Sequence, residues 1–189
     1  MATVMPLKGR VALVTGASRR IAIGAGIARR LATDGASVLV HAWPPHDAEQ
    51  PWGSDEGGTE ALVSELRRQG GQVEPVFADL ADADAPAQLI DAARNAFGHL
   101  DVVVANHARG SGQALEDLTA EEIDLTYAVN TRATLLLVKA FAAHHDSRPG
   151  GRVVLFTSGQ CHGAMPSELA DWVTGQVIAS DGGWSAAGQ

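Results

Sequence analysis

The sequence predicts an α/β fold, a doubly wound parallel sheet in three layers with helices on both faces. Three observations predict it. Short continuous apolar runs recur along the chain and read as strands buried on both faces. Stretches with helical apolar spacing alternate with them in strict order. The first run leads directly into a glycine-rich turn that opens a helix, as in a βαβ unit.

Val11-Ala12-Leu13-Val14 is the first strand, and Thr15-Gly16-Ala17-Ser18 is the turn after it. A helix follows from Gly24 to Asp34, with Ile27, Ala28 and Leu31 on one face. Gly35 ends it, because glycine accepts the left-handed conformation past a helix C-terminus. Ser37 to Val40 is the second strand. Pro44 to Gly58 holds Pro44, Pro45, Pro51, Gly53, Gly57 and Gly58 among polar and acidic residues. It reads as a loop longer than most connections, and such loops are often functional. A helix over Thr59 to Gln69 ends at Gly70-Gly71, and Val73 to Phe77 is the third strand. Pro86 to Phe97 is a helix and Leu100 to Ala105 the fourth strand. Thr119-Ala120-Glu121-Glu122 is a capping box that opens one long helix toward His144. Arg152 to Phe156 is the fifth strand. After Thr157 the alternation stops, and only Gln176-Val177-Ile178 reads as a further strand. Right-handed crossovers then predict the strand order 3-2-1-4-5.

A length of 189 residues fits one domain over residues 1–189. The 46% hydrophobic and 19% charged content is that of a soluble globular protein. A net charge of −8 argues against a nucleic-acid partner, since phosphate binding needs a basic face. No apolar run approaches the about 18 residues that cross a membrane, so none is expected to insert in one. Met1 to Arg10 has no apolar signal core, and Arg19-Arg20 lies behind a strand rather than at an export signal's position. The single Cys161 excludes an internal disulfide, and a cytoplasmic location is the expectation.

The turn from Thr15 to Gly24 is the first motif that carries chemistry. A strand-to-helix turn aims backbone N–H groups and the helix dipole at a phosphate. Glycine lets the backbone approach and the helix pack closely. A purely structural tight turn is the alternative. No Gly-Lys-Ser/Thr follows, so it is not a loop of the ATPase kind.

Val14-Thr15-Gly16-Ala17-Ser18-Arg19-Arg20, with Gly24 after it, resembles the cofactor loop of short-chain dehydrogenase/reductases. It is most similar to the 3-oxoacyl-[acyl-carrier-protein] reductase-like subgroup, and Ala22 stands at that family's middle glycine. Ala78-Asp79-Leu80 resembles the family's acidic position after the third strand, beside the adenine. Ala105-Asn106-His107-Ala108 resembles its Asn-Asn-Ala-Gly segment, of which the first Asn and the Ala remain. Asn130 and Ser158 match the asparagine and serine of the catalytic tetrad, and Asp181-Gly182-Gly183 matches the segment after the last strand.

The resemblance implies a Rossmann-like architecture. It also implies cofactor contacts from Gly16, Ser18, Arg19, Arg20, Ile23, Gly24, Asp79, Leu80, Asn106 and Ala108. An Asp or Glu at the end of the second strand would bind the ribose hydroxyls of NAD. The matching position here is Ala42, between His41 and Trp43, and Arg19 and Arg20 add charge that suits a phosphate. NADP is therefore the expected cofactor and NAD the alternative, unless both arginines only face solvent.

The family's Tyr-x-x-x-Lys pair has no counterpart. Ala170 is followed at once by Asp171-Trp172-Val173-Thr174-Gly175, which resembles the approach to the last strand. The chain thus reads as truncated in its C-terminal part, lacking the pair's helix, the next strand and the substrate cover. Tyr127 is the only tyrosine and has Thr131 four residues on; the lysines are Lys8 and Lys139. His162, near Ser158, is either a substitute base or a solvated loop residue. His144-His145 point apart on a helix and make a poor metal site. Cys161 lacks the charged surroundings of a reactive thiolate.

Three functions follow. The chain is an NADP-dependent reductase of a ketone or acyl thioester, or a nucleotide-binding truncation without chemistry, or a partner of a full-length paralogue. The family's homo-oligomers imply self-association, here weakened by the missing helix.

Overall fold

Val11–Val14 (β1) lies at the centre of the sheet, and all four of its residues are buried. The structure is a computed structural model and describes residues 5–110 and 114–156. After β1 come α1 (Ile23–Thr33), β2 (Ser37–Ala42), α2 (Pro44–Glu49), α3 (Gly58–Arg68), β3 (Val73–Phe77), α4 (Ala85–Phe97) and β4 (Val102–Ala105). A short 3-10 turn at Leu115–Asp117 precedes α5 (Ala120–Tyr127), a π-helical turn at Ala128–Arg132, α6 (Ala133–His144) and β5 (Arg152–Leu155). The strand order is β3-β2-β1-β4-β5, all parallel, as the alternation predicts.

The central strands β1, β2 and β4 read as apolar runs because both faces are covered, whereas the edge strands β3 and β5 are more exposed. Successive side chains point to opposite faces. Leu13, Leu39 and Val103 pack with Leu89 and Ile90 of α4 and with Leu137 and Phe141 of α6. Their neighbours Val14, Val38, Val40 and Val104 pack on the other face with Ala25 and Ala28 of α1 and Leu62 and Leu66 of α3. At the amino ends of the strands, buried Asp101 accepts from the Val11 N–H at 2.9 Å and from Arg10 Nη1 at 3.0 Å. This couples β1 to the start of β4. Among the described residues no helix is long and apolar enough to cross a membrane.

Three differences from the sequence reading concern the carboxyl ends of the strands. Pro44 to Gly58 is not loop throughout: Pro44 and Pro45 open the short helix α2. Proline suits a helix's first turn, where its missing N–H has no intrahelical partner anyway. β2 runs two residues beyond Val40, which places His41 within the strand. The long helix begins as expected, with Thr119 Oγ1 accepting from the Glu122 N–H at 3.2 Å, but it contains the π turn. Such turns re-aim side chains and are frequent at functional sites; Asn130 lies in this one. The strand read at Gln176-Val177-Ile178, and the reading of 1–189 as one domain, extend outside the described residues.

Candidate functional site

β1 is the strand from which the chain winds outward in both directions, to β2 on one side and β4 on the other. Ligands in open α/β sheets bind outside the carboxyl ends of the strands at such a switch point. A cleft of about 750 Å³ lies there, within the usual range for small-molecule sites. Of the residues singled out in the sequence, Gly16, Ser18, Arg19, Ile23, Asp79, Leu80, Asn106 and Ala108 line it.

Gly16 and Gly24 bring the turn, α1 and the segment after β4 into close contact. Gly16 has φ +69°, and a Cβ there would lie 2.8 Å from the His107 Cα. A Cβ on Gly24 would lie 2.4 Å from the Gly16 carbonyl oxygen and 2.8 Å from Asn106 Nδ2. Asn106 Nδ2 donates to the carbonyls of Thr15 (3.1 Å) and Gly16 (3.0 Å), which directs both inward. The first turn of α1 has no side-chain cap and no acidic residue. Its N–H groups and dipole are therefore directed at whatever anion enters the cleft.

The two arginines part company. Arg19 lines the cleft with its guanidinium 5.5 Å from the centre of the Trp52 ring. Arg20 does not line it: its backbone N–H and Nε both donate to Asp55 Oδ2, at 2.8 and 3.0 Å. Asp79 has a local partner as well, accepting from the Ala81 N–H at 2.8 Å. Gly24 backs the cleft rather than lining it. Asn130 grips the main chain of Arg109, accepting from its N–H at 2.7 Å and donating to its carbonyl at 2.8 Å. Ser158, His162, Cys161 and the Asp181-Gly182-Gly183 segment lie outside the described residues.

Several lining residues escaped the sequence reading. His41, only 2% exposed, donates from Nε2 to the Ala78 carbonyl at 2.9 Å and accepts the Gly16 N–H on Nδ1 at 3.3 Å. His107 accepts the Thr15 hydroxyl on Nδ1 at 2.8 Å and donates from Nε2 to the Val129 carbonyl at 3.1 Å. The partners of His41 require a neutral ring in the Nε2–H tautomer, because the Gly16 N–H can only donate. Burial pushes the His41 imidazole down to about 4, against the opposing pull of the Ala78 carbonyl and Asp79. Burial and the neighbouring His41 bring His107 to about 4 as well.

Arg109 also escaped notice. It stands where the resembling segment has glycine, and it forms a bidentate pair with Glu122 at 3.0 and 2.9 Å. Its Nη1 reaches His46 Nδ1 at 3.3 Å and Glu49 at 4.0 Å. The cluster of Trp43, His46 and Trp52 in a proline-rich stretch was the available signal for α2's place at the cleft.

The two histidines predict acid sensitivity. Between about pH 6.5 and 4 the unfolded chain binds protons at these positions that the folded chain refuses. Stability therefore rises with pH across that window and falls as pH drops through it. The full loss is about 3 kcal/mol per ring at low pH. Guanidinium unfolding at pH 7.0 and 4.5 measures it. The His41→Asn/His107→Asn double variant is expected to flatten the difference, and an equally steep loss in that variant would contradict the assignment.

The short chain dehydrogenase family model matches residues 10–170 of the chain. Its last matched residue coincides with Ala170, where the sequence reading places the junction. Versicolorin reductase stcU from Emericella nidulans is 36% identical over 152 residues, covering 80% of this chain and 52% of that protein. A short chain dehydrogenase from Burkholderia cenocepacia, solved in complex with NADP, is 36% identical with a TM-score of 0.70, covering 83% of this chain and 58% of that one. A 3-oxoacyl (acyl-carrier-protein) reductase from Agrobacterium tumefaciens, solved with NADP bound, is 33% identical with a TM-score of 0.65, covering 79% and 53%. The chain spans little more than half the length of each of these three relatives. With the parallel sheet, the glycine-rich turn and the family match in agreement, the chain belongs to the short-chain dehydrogenase family.

Proposed function

We propose that this chain binds NADP(H) in the cleft, with NAD(H) as the alternative. Its fold is that of a reductase that delivers hydride to a ketone such as a 3-oxoacyl thioester. The observation that carries the reading is the tight Gly16–Gly24–Asn106 contact, which sets the uncapped start of α1 at the switch point. These residues fit a pyrophosphate, because bare backbone N–H groups and a helix dipole face the space and no acidic residue stands in that first turn. Gly16, Ser18, Ile23, Asn106 and Ala108 would contact the phosphates and ribose, and Asp79 and Leu80 the adenine.

The preference for NADP(H) is supported by Ala42, fully buried at the end of β2 and carrying no carboxylate, and by Arg19 at the cleft. The NADP bound in the Burkholderia and Agrobacterium structures supports it too. Arg20 would act only from behind, because its guanidinium is engaged by Asp55.

The bound cofactor would supply the hydride. Ser158 would orient a carbonyl and Asn130 would support a proton relay, as the resemblance implies. Among the described residues none fills the tyrosine's place as proton donor, so this polypeptide would bind cofactor without reducing a substrate. A second reading, a non-catalytic nucleotide-binding protein or a partner of a full-length paralogue, is favoured by that same missing pair. Exposed Ile123 and Tyr127 on α5 and Leu135 on α6 would be the surface for self-association.

The test is titration of the purified chain with NADPH and NADH, followed by tryptophan fluorescence. NADPH is expected to bind about tenfold tighter, the value of one charge-assisted contact. Arg19→Ala is expected to weaken NADPH and leave NADH unchanged. Tighter NADH binding, or an Arg19→Ala variant with wild-type discrimination, would overturn the preference.

A further inference from the structure

We propose that His41 is a positioning residue of the cleft, whose neutral ring holds the glycine-rich turn in its phosphate-ready shape. The effect on cofactor binding rests on the nucleotide reading above; the effect on the turn does not.

His41 sits in the second-last position of β2, and its ring is enclosed at the floor of the cleft. Its main-chain carbonyl accepts the Ala17 N–H at 2.9 Å, and its ring accepts the Gly16 N–H. One residue thus takes two consecutive N–H groups of the turn. Its remaining ring nitrogen is fixed by the Ala78 carbonyl, immediately before Asp79. The ring therefore joins the turn after β1 to the segment after β3, the two walls between which the adenosine half of a dinucleotide would lie. Gly16 has little freedom to relax in any other way, since its φ is +69° and the His107 backbone lies against it.

A buried donor or acceptor must be paired. A small apolar residue at position 41 would leave both the Gly16 N–H and the Ala78 carbonyl without their partner. A protonated ring would present an N–H to the Gly16 N–H, so the turn would lose its acceptor. The charged and titratable groups around the ring are Asp79 after β3, His107 after β4, His46, Asp47 and Glu49 of α2 across the cleft, and Arg19 and Arg109 at its margins. Of these, Asp79 favours a charged ring at His41, and His41 in turn disfavours a charge on His107.

Two substitutions separate positioning from packing. His41→Asn keeps an uncharged acceptor near the Nδ1 position and gives up the ring's volume, while His41→Ala removes the acceptor. Amide hydrogen exchange at Gly16 is measured for wild type and both variants at neutral pH, with Leu13 and Val40 as internal references. NADPH affinity is measured from pH 7.5 down to 4.5 on the same samples. In His41→Ala, Gly16 exchange is expected to rise about tenfold or more against the references, and NADPH to bind about tenfold more weakly. In His41→Asn, Gly16 exchange is expected to stay within about threefold of wild type. Wild-type affinity is expected to fall on acidification, and the His41→Asn profile to be flatter. Unchanged Gly16 exchange in His41→Ala, or equal loss of protection in both variants, would overturn the positioning role. Protection that behaves as expected, in a chain that binds no NADPH at any pH, would leave the role standing and overturn the nucleotide reading.

Discussion

Mixed with NADPH and an acetoacetyl thioester or a panel of small ketones, the purified chain is expected to oxidise no more NADPH than a protein-free blank. Hydride transfer to a carbonyl produces an alkoxide, which needs a proton donor and an electrostatic partner at that oxygen. Positioned acid catalysis alone contributes about 10²–10⁴-fold. The sole tyrosine, Tyr127, is 57% exposed on α5 and has Thr131, not lysine, four residues on. His41 and His107 do line the cleft, but both ring nitrogens of each are engaged and both rings are held neutral. A neutral imidazole with its N–H given to a carbonyl is a poor acid. Ser158→Ala is the control. Turnover well above the blank that disappears in that variant would show that another group has replaced the tyrosine, and His162 would be the first to substitute.

Gly24→Ala is expected to destabilise the fold by about 1–3 kcal/mol, the usual cost of overpacking, and to weaken NADPH binding more than tenfold. The new Cβ would stand 2.4 Å from a backbone oxygen and 3.0 Å from the carbon that bears it. A flexible side chain could move aside, but the Gly16 carbonyl is held by Asn106 and cannot. α1 must therefore lift from the turn, taking its N-terminus out of line with the cleft. Gly26, two residues along the same helix, is the matched control. A Cβ there meets nothing within 4 Å, so Gly26→Ala is expected to raise stability by up to about 1 kcal/mol through helix propensity. Thermal unfolding and NADPH titration of the two variants give opposite signs on this account. A Gly24→Ala chain that melts and binds like wild type would refute the close-approach argument.

The sequence by itself determined the sheet. Apolar runs at Val11–Val14, Ser37–Val40 and Leu100–Ala105 alternate with helical stretches, and strands covered on both faces leave no other pattern. The strand order then followed from the handedness of the crossovers. The glycine-rich turn was also legible, because its residues are contiguous and its glycines answer to local geometry. The tertiary structure alone decided how the side chains at the cleft are spent. Arg19 and Arg20 are adjacent in sequence, yet one lines the cleft and the other faces Asp55, 35 residues away. His41 and His107 look like unremarkable positions, but they close hydrogen bonds to residues 25 and 92 positions earlier. Asn130 reaches Arg109 because a π turn interrupts a helix whose periodicity reads as continuous. Local periodicity reports which face of an element is buried. It carries no record of which distant backbone group waits there, and in this chain those long-range partners set the shape of the site.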